Sequence, residues 1–443
     1  MEFWEQAVRS EIVAVPPRSN AGALLNATMC ALLTLAVVLT GCFSGEAPLP
    51  PHEALAKAAQ RIDAILAEDR ATPAQAVPSA RREAPDDAQA VAFWFYTHPL
   101  MSALLSRPET LARFCAAHPQ VGLTRQFIGD WSVAIQKLTV SLAAGDLPDV
   151  ALVKRSWLAR LASSGLIAPL DALLPAALIE DLRAPARDAL SVKGRLYAVP
   201  ADGFCSVLFY NRDMVEAAAP RTWAELRDLA RAAGRPDENP RKAVYGVGHL
   251  PFLETLWSAG GEVCDAVASG LDEAPAREAL DFILALRDEH FAYPYGLGNP
   301  DGGFGLFLAG RAAMTVASSQ QVFQARRAAF PVGIAPVPGK TGPISMLSDN
   351  AIVVFAKYAG AKRSAIGAVL DFLTGPDVQG ADALGLGSVP ARVSVSKDLA
   401  VPEGLGAAYS HARNTPLVGP WGAIEFEVGR YLDLAYRWRP PEE

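Results

Sequence analysis

The sequence predicts an α/β fold with a largely parallel sheet, and two observations predict it. Short apolar runs alternate with amphipathic ones, and the 51% hydrophobic, 20% charged composition is that of a globular chain. Val91–Tyr96 reads as a buried strand and Pro99–Ala117 as a helix. Gly122–Ile128 is a second strand. In the next helix Val133, Ile135, Leu138 and Leu142 share one face, and Gly145 stops it. Asp146-Leu147-Pro148-Asp149 is a turn into a third strand, Val150–Val153. In such sheets ligands bind beyond the carboxyl ends of the strands. A site is therefore expected at the loops Tyr96–His98, Gly129–Trp131 and Lys154–Trp157.

The chain ahead of this body has a different character. Mean hydropathy is +0.17, slightly high for a soluble protein. Part of it lies in Ala21–Gly41, which holds no charge and is strongly apolar from Leu32 to Leu39. The run ends in Leu39-Thr40-Gly41-Cys42, which resembles a bacterial lipobox. There the cysteine thiol is diacylated and the chain is cut just before it, so residues 1–41 read as a lipoprotein signal peptide and Cys42 as the lipidation site. The competing reading is an uncleaved anchor, since about 20 apolar residues span a bilayer. Residues 42–88 then form a lipid-anchored tether with one amphipathic helix. That helix covers Pro51–Arg70, with Leu55, Ala58, Ile62, Ile65 and Leu66 at helical spacing. The pattern leaves open whether it packs on the body or lies near the membrane. Ala71–Ala88, with three prolines and five charged residues, reads as a linker. Beyond Cys42 remain Cys115, Cys205 and Cys264, in no C-x-x-C pattern, which allow at most one disulfide and read as small buried hydrophobes.

A series of short motifs follows in fixed order. It runs Gly145-Asp146-Leu147-Pro148-Asp149-Val150, Gly165-Leu166-Ile167-Ala168-Pro169-Leu170-Asp171, Gly194-Arg195-Leu196-Tyr197-Ala198-Val199-Pro200 and Leu208-Phe209-Tyr210-Asn211-Arg212-Asp213. Pro220-Arg221-Thr222-Trp223-Ala224-Glu225-Leu226, Gly260-Gly261, Gly310-Arg311-Ala312-Ala313-Met314, Pro336-Val337-Pro338 and Gly387-Ser388-Val389-Pro390 complete it. Each piece has a local reading too. Thr222 with Glu225 makes a capping box that places Trp223 in the first turn of a helix, and Gly194-Arg195 is a hairpin turn. Together the pieces resemble the family 1 extracellular solute-binding proteins (sugar type) of bacterial ABC importers. The resemblance implies a type II periplasmic-binding-protein fold, with two discontinuous α/β lobes joined by a hinge, behind the signal peptide and short helical tether. The implied lobes are 89–201 plus 313–352, and 202–312 plus 353–443. Crossings are expected at Pro200–Phe204, Ala312–Val316 and Ala351–Val354.

The chemistry of the chain favours binding. Aspartate plus glutamate is 47 against 40 lysine plus arginine, a net charge of −7, so the basic footprint of a nucleic-acid binder is missing. The six histidines form no metal spacing, and no H-E-x-x-H, G-x-S-x-G or phosphate loop occurs. Gly302-Gly303-Phe304-Gly305 reads as a turn ahead of a helix-like Leu306–Gly310. No cofactor, metal or catalytic residue is expected. A sugar offers apolar C–H faces and a rim of hydroxyls, so aromatics beside donors and acceptors are wanted. From the first lobe the candidates are Thr97, His98, Asp130, Trp131, Ser156 and Trp157. Asp202 lies in the first crossing. Trp257, Gly260 and Gly261 form a lobe-two loop; Ser318 and Gln320 follow one crossing strand and Asp349 and Asn350 precede another; Trp421 closes from the C-terminal segment. Lys154 and Arg155 would serve an anionic ligand, and Asp130, Asp202 and Asp349 a polyamine. The expected protein is an extracytoplasmic monomer, lipid-anchored to the membrane, that captures a small solute of the carbohydrate class for ABC permease subunits. A binder of a polyamine or other polar solute, a sensor or adaptor, and an exported enzyme are the alternatives.

Overall fold

Two main sheets, one per lobe, organise the described residues. The computed structural model describes residues 46–71, 90–104, 107–237, 239, 242–293, 300–348, 350–397 and 399–439. The signal segment, Cys42, residues 72–88 of the linker and Asp349 lie outside the described residues.

Helix α1 spans Pro51–Ala71. Strands β1 (Ala90–Phe95), β2 (Gly122–Phe127) and β3 (Val150–Lys154) follow. Between β2 and β3 runs α2, Trp131–Ala144. Its N-cap Asp130 accepts the Val133 N–H at 3.0 Å, and its C-cap Gly145 has φ 69°, a left-handed conformation suited to glycine. The single helix expected over 99–117 is two, Pro99–Leu104 and Pro108–Ala117, because Pro108 is preset for a helix start and carries no N–H to continue one. Strands β4 (Ser191–Val192) and β5 (Arg195–Leu196) form the expected hairpin, but its turn is Lys193-Gly194, at φ 50° and 78°, one residue ahead of the expected Gly194-Arg195 because Arg195 pairs with Val192. Strands β6 (Ala198–Pro200) and β7 (Ser206–Asn211) flank the first crossing.

Helix α3, Trp223–Ala233, opens on the expected capping box. Strand β8 (Tyr245–Val247), then α4 (Phe252–Ser258), α5 (Ala274–Asp288) and α6 (Pro300–Leu308) lead to β9 (Ala312–Ser318). The glycine run at 302–305 therefore lies in a helix and makes no turn. A Cβ on Gly303 would come 2.6 Å from the His249 Cβ and 2.8 Å from the Gly248 carbonyl oxygen, so the glycine lets the helix approach the end of β8. Strands β10 (Val332–Ala335), β11 (Ser345–Met346) and β12 (Asn350–Val354) precede α7, Arg363–Thr374. Strand β13 (Ala412–Arg413) pairs with β11, and α8 (Trp421–Arg437) is the last helix among the described residues.

The first sheet has the order β2-β1-β3-β12-β6 and the second β10-β7-β9-β8. β1, β2 and β3 are parallel, as expected, while β12 runs antiparallel to both β3 and β6. The expected segment boundaries need correction. Residues 313–352 do not all belong to the first lobe: β9 and β10 pair with β7 in the second sheet. Residues from 353 do not all belong to the second either. The buried face of α7 (Ile366, Val369, Leu370, Leu373) sits in the first core with β1, β3 and β12. The chain thus changes lobes at 201–205, at 347–348 and near 387–389. Neither β9 nor β12 is itself a crossing, because each is buried among strands of its own sheet. Their apolar runs look alike in sequence, and pairing alone assigns them.

Helix α1 answers the question its pattern left open. Ala54, Leu55, Ala58, Ala59, Ile62 and Leu66 are buried in the core of the second lobe, together with Trp421, Ile424 and Leu432 of α8 and Leu280 and Leu284 of α5. Cys205 and Cys264 are buried free thiols, as expected, but Cys115 is exposed because its short helix turns it outward. Among the described residues no helix is long and apolar enough to cross a membrane.

Candidate ligand-binding site

Parallel β1, β2 and β3 bring the predicted loops to one edge of the first sheet. Thr97 follows β1, and its N–H donates to the Gly129 carbonyl at 2.8 Å, joining two of the loops. Gly129, at φ 97°, makes the sharp entry to α2. Three aromatic rings meet here. Tyr96 and Trp131 lie 5.1 Å apart, and Trp131 and Trp157 5.6 Å apart, both edge to face. Both tryptophans are half-buried and Thr97 and Asp130 are exposed, so ring edges and polar tips reach solvent together. Ser156 is half-buried beside them. Arg155 is different: it is buried, with Nε on the Ala189 carbonyl at 2.9 Å and Nη2 on the Thr415 carbonyl at 2.8 Å. It ties the first lobe to the segment after β13.

His98 and Asp202 are buried against each other. The His98 side chain is 1% exposed and that of Asp202 fully buried, with Nε2 2.7 Å from Oδ2. The Met101 N–H lies 3.4 Å from Nδ1, so Nδ1 accepts and Nε2 donates. The same Oδ2 accepts Ser348 Oγ–H at 3.2 Å and Asn350 Nδ2–H at 2.9 Å, while Oδ1 accepts the Phe204 N–H at 2.9 Å. Tyr96 donates to Asn350 Oδ1. One carboxylate thus joins the crossing at 201–205 and the crossing at 347–348 to the end of β1. Ser348 is the member the sequence did not single out; its place two residues before the polar Asn350 is the only signal for it. A cavity of about 20 Å³ adjoins this knot, lined partly by Asp202, Asn350 and Tyr409, and is far smaller than a sugar.

The third crossing is pinned by serines. Ser319 accepts the Cys205 N–H at 3.2 Å and donates to the Gly387 carbonyl at 2.7 Å; Ser388 accepts the Gly203 N–H at 2.8 Å. Burial of Cys205 there pushes its thiol up to about 12. Ser318 and Gln320 flank Ser319; Ser318 is exposed, Gln320 half-buried, and they remain the accessible pair. On the second lobe Trp257 is 3% exposed. Its Nε1 donates to Glu262 at 3.1 Å, and the Arg413 guanidinium covers the ring at 5.1 Å while pairing with Glu262. Gly260, at φ 87°, has open space around its missing Cβ; at Gly261 a Cβ would strike Leu256 at 2.3 Å, so that glycine serves packing. Trp421 is buried in the second core against α1 and is not brought to the other candidates. A hollow of about 530 Å³ lies along α3 and α5 beside Trp223 and Phe282, and none of the predicted ligand residues lines it. The strand-end edge with its aromatic rings is the better site on chemistry.

Residues 105–380 match the family model of the bacterial extracellular solute-binding proteins. The chain belongs to this family. A maltotriose-binding protein of Pyrococcus abyssi is 26% identical over 317 residues, covering 67% of this chain and 68% of the relative. A mannitol-binding protein of Pseudomonas aeruginosa is 30% identical over 140 residues, covering 30% of this chain and 31% of the relative. Among solved structures, the sugar-binding protein MalE of Xanthomonas citri superposes with a TM-score of 0.67 at 23% identity, over 79% of this chain and 92% of that one. The likeness fixes the two-lobe fold. As an extracellular solute-binding protein the chain works outside the cytoplasm, and its lobes carry a binding role.

In such a protein the residues divide by duty. Trp131 and Trp157 with Thr97 and Asp130 form one accessible wall, backed by the buried Tyr96, and Ser318, Gln320 and Gly260 are the accessible candidates of the second lobe. His98, Asp202 and Asn350 hold the crossings.

Proposed function

We propose that the protein captures a short malto-oligosaccharide or related sugar between its lobes, closes on it by hinge bending, and hands it to the permease of an ABC importer. The observation that carries this reading is the edge-to-face series Tyr96, Trp131 and Trp157 at the carboxyl ends of three parallel strands. Half-buried indole rings beside hydroxyl and carboxylate groups match a pyranose, whose faces are apolar and whose rim is polar. The names of the relatives support the sugar class. A polyamine fits less well: Asp202 is spent on four internal hydrogen bonds, and Asp130 caps a helix. The protein performs no chemistry, acts as a monomer, and is held to the membrane by lipid on Cys42 after removal of residues 1–41.

A thermal-shift screen with maltose, maltotriose, maltotetraose, mannitol and putrescine tests this. At about 100 Kd a ligand bound only by the folded state stabilises by about 2.7 kcal/mol. A shift with malto-oligosaccharides is expected. A shift with mannitol alone would move the assignment to polyols, and one with putrescine alone would overturn the sugar class.

A further inference from the structure

Helix α1 lies outside the stretch the family model matches, which begins at residue 105. It is nevertheless built into the second lobe. Ile62 is 0% exposed and Leu55 1%. Polar bonds ring the apolar face. His52 Nε2 lies 2.9 Å from Asp281, Arg61 Nε donates to Glu427 at 3.2 Å, and the Ser269 N–H donates to Asp63 at 2.7 Å. Arg70 donates to the Ala266 carbonyl at 3.0 Å and the Val267 carbonyl at 3.1 Å. Ahead of the helix, the Leu49 N–H donates to the Leu434 carbonyl of α8 at 3.3 Å. Docking begins at Leu49, only seven residues beyond Cys42.

We propose that α1 is a clasp that sets the stand-off of the protein from the bilayer. This rests on the lipidation of Cys42 put forward above. Seven residue steps reach at most about 25 Å when fully extended. With the helix docked, the second lobe cannot rise further than that from the lipid. The first lobe is then the arm that moves as the lobes close. Were α1 free, the leash would run from Cys42 to Ala90, 48 steps, with a coil span of about 40 Å and a far longer limit. The clasp converts what reads in sequence as a long tether into a short one. A binding protein held this close meets a membrane partner at high effective concentration and in a restricted orientation.

Neutron reflectometry of the full lipidated chain on a supported bilayer measures the water gap beneath the protein layer. A narrow gap, below about 25 Å, is expected for the wild type. Inserting 20 Gly/Ser residues after Gly45, which leaves the helix untouched, should widen it about twofold. Leu55→Asp with Ile62→Asp should widen it at least as much and expose the amides of residues 54–66 to hydrogen exchange. A gap unchanged by the insertion overturns the stand-off role. Fast amide exchange in the wild-type helix would overturn the docked clasp. Mass spectrometry of the N-terminal peptide reads the anchor separately: a mass without acyl chains overturns the lipidation reading, whatever the helix does.

Discussion

At the scale of single residues, Asp202 shows how a hinge carboxylate differs from a ligand-binding one. It accepts four hydrogen bonds from three segments: the end of β1, its own crossing and the stretch leading into β12. Removing it takes the acceptor from the buried His98 ring and Phe204 N–H and from half-buried Ser348 and Asn350, and breaking a buried charged network costs about 3–5 kcal/mol. Asp202→Ala should therefore lower the denaturation midpoint strongly, whereas Trp131→Ala should weaken sugar binding with little loss of stability. Chemical denaturation and calorimetric titration of both variants separate the roles. Two buried titratable groups of the second lobe act in opposite directions with pH. Burial pushes the His249 imidazole down to about 4, so its contribution is complete above the ordinary histidine value. It is lost as pH falls from about 6.5 towards 4, at most about 3 kcal/mol. Burial raises the Glu254 carboxyl, whose contribution is present at low pH and lost as pH rises through its folded value. His249→Gln should flatten the acid limb of a plot of Tm against pH, and Glu254→Gln should raise Tm at neutral pH.

At the scale of elements, α1 and α8 form one packed unit, and substitutions should report it. Ile62→Ala removes a wholly buried side chain and should cost about 2–5 kcal/mol; Trp421→Ala should cost about 3–5 kcal/mol and leave sugar affinity unchanged. Unfolding in denaturant measures the first, and titration of the same protein the second. The elements themselves were legible in the sequence where the pattern was local. The capping box at Thr222, the glycine stop at Gly145 and the hairpin around Gly194 each arise from a few adjacent residues, and each is present, the hairpin with its turn one residue earlier than read. Sheet membership was not legible. The apolar residues of β9 and β12 carry no mark of which strands they will pair with, so the boundary near 313 fell in the wrong lobe. The same limit governed the site. The three loops could be grouped in advance because parallel strands end together. The duty of His98, Asp202 and Trp421 depended on neighbours more than a hundred residues away, which no local pattern encodes.

At the scale of the whole molecule, the two sheets meet through three crossings held by short polar side chains, with Arg155 and Thr415 as a further strut between the lobes. Few segments join the lobes and each carries small residues, an arrangement suited to hinge bending about a fixed knot. Closure on a ligand should make the protein more compact without altering its secondary structure. Small-angle X-ray scattering of the chain from Ala47 onward, titrated with maltotriose, tests the account most directly. The predicted result is a saturable fall in radius of gyration that Trp131→Ala shifts to higher sugar concentration. A radius unchanged at saturating maltotriose, or no saturation at all, would contradict capture of a sugar by closure of the lobes.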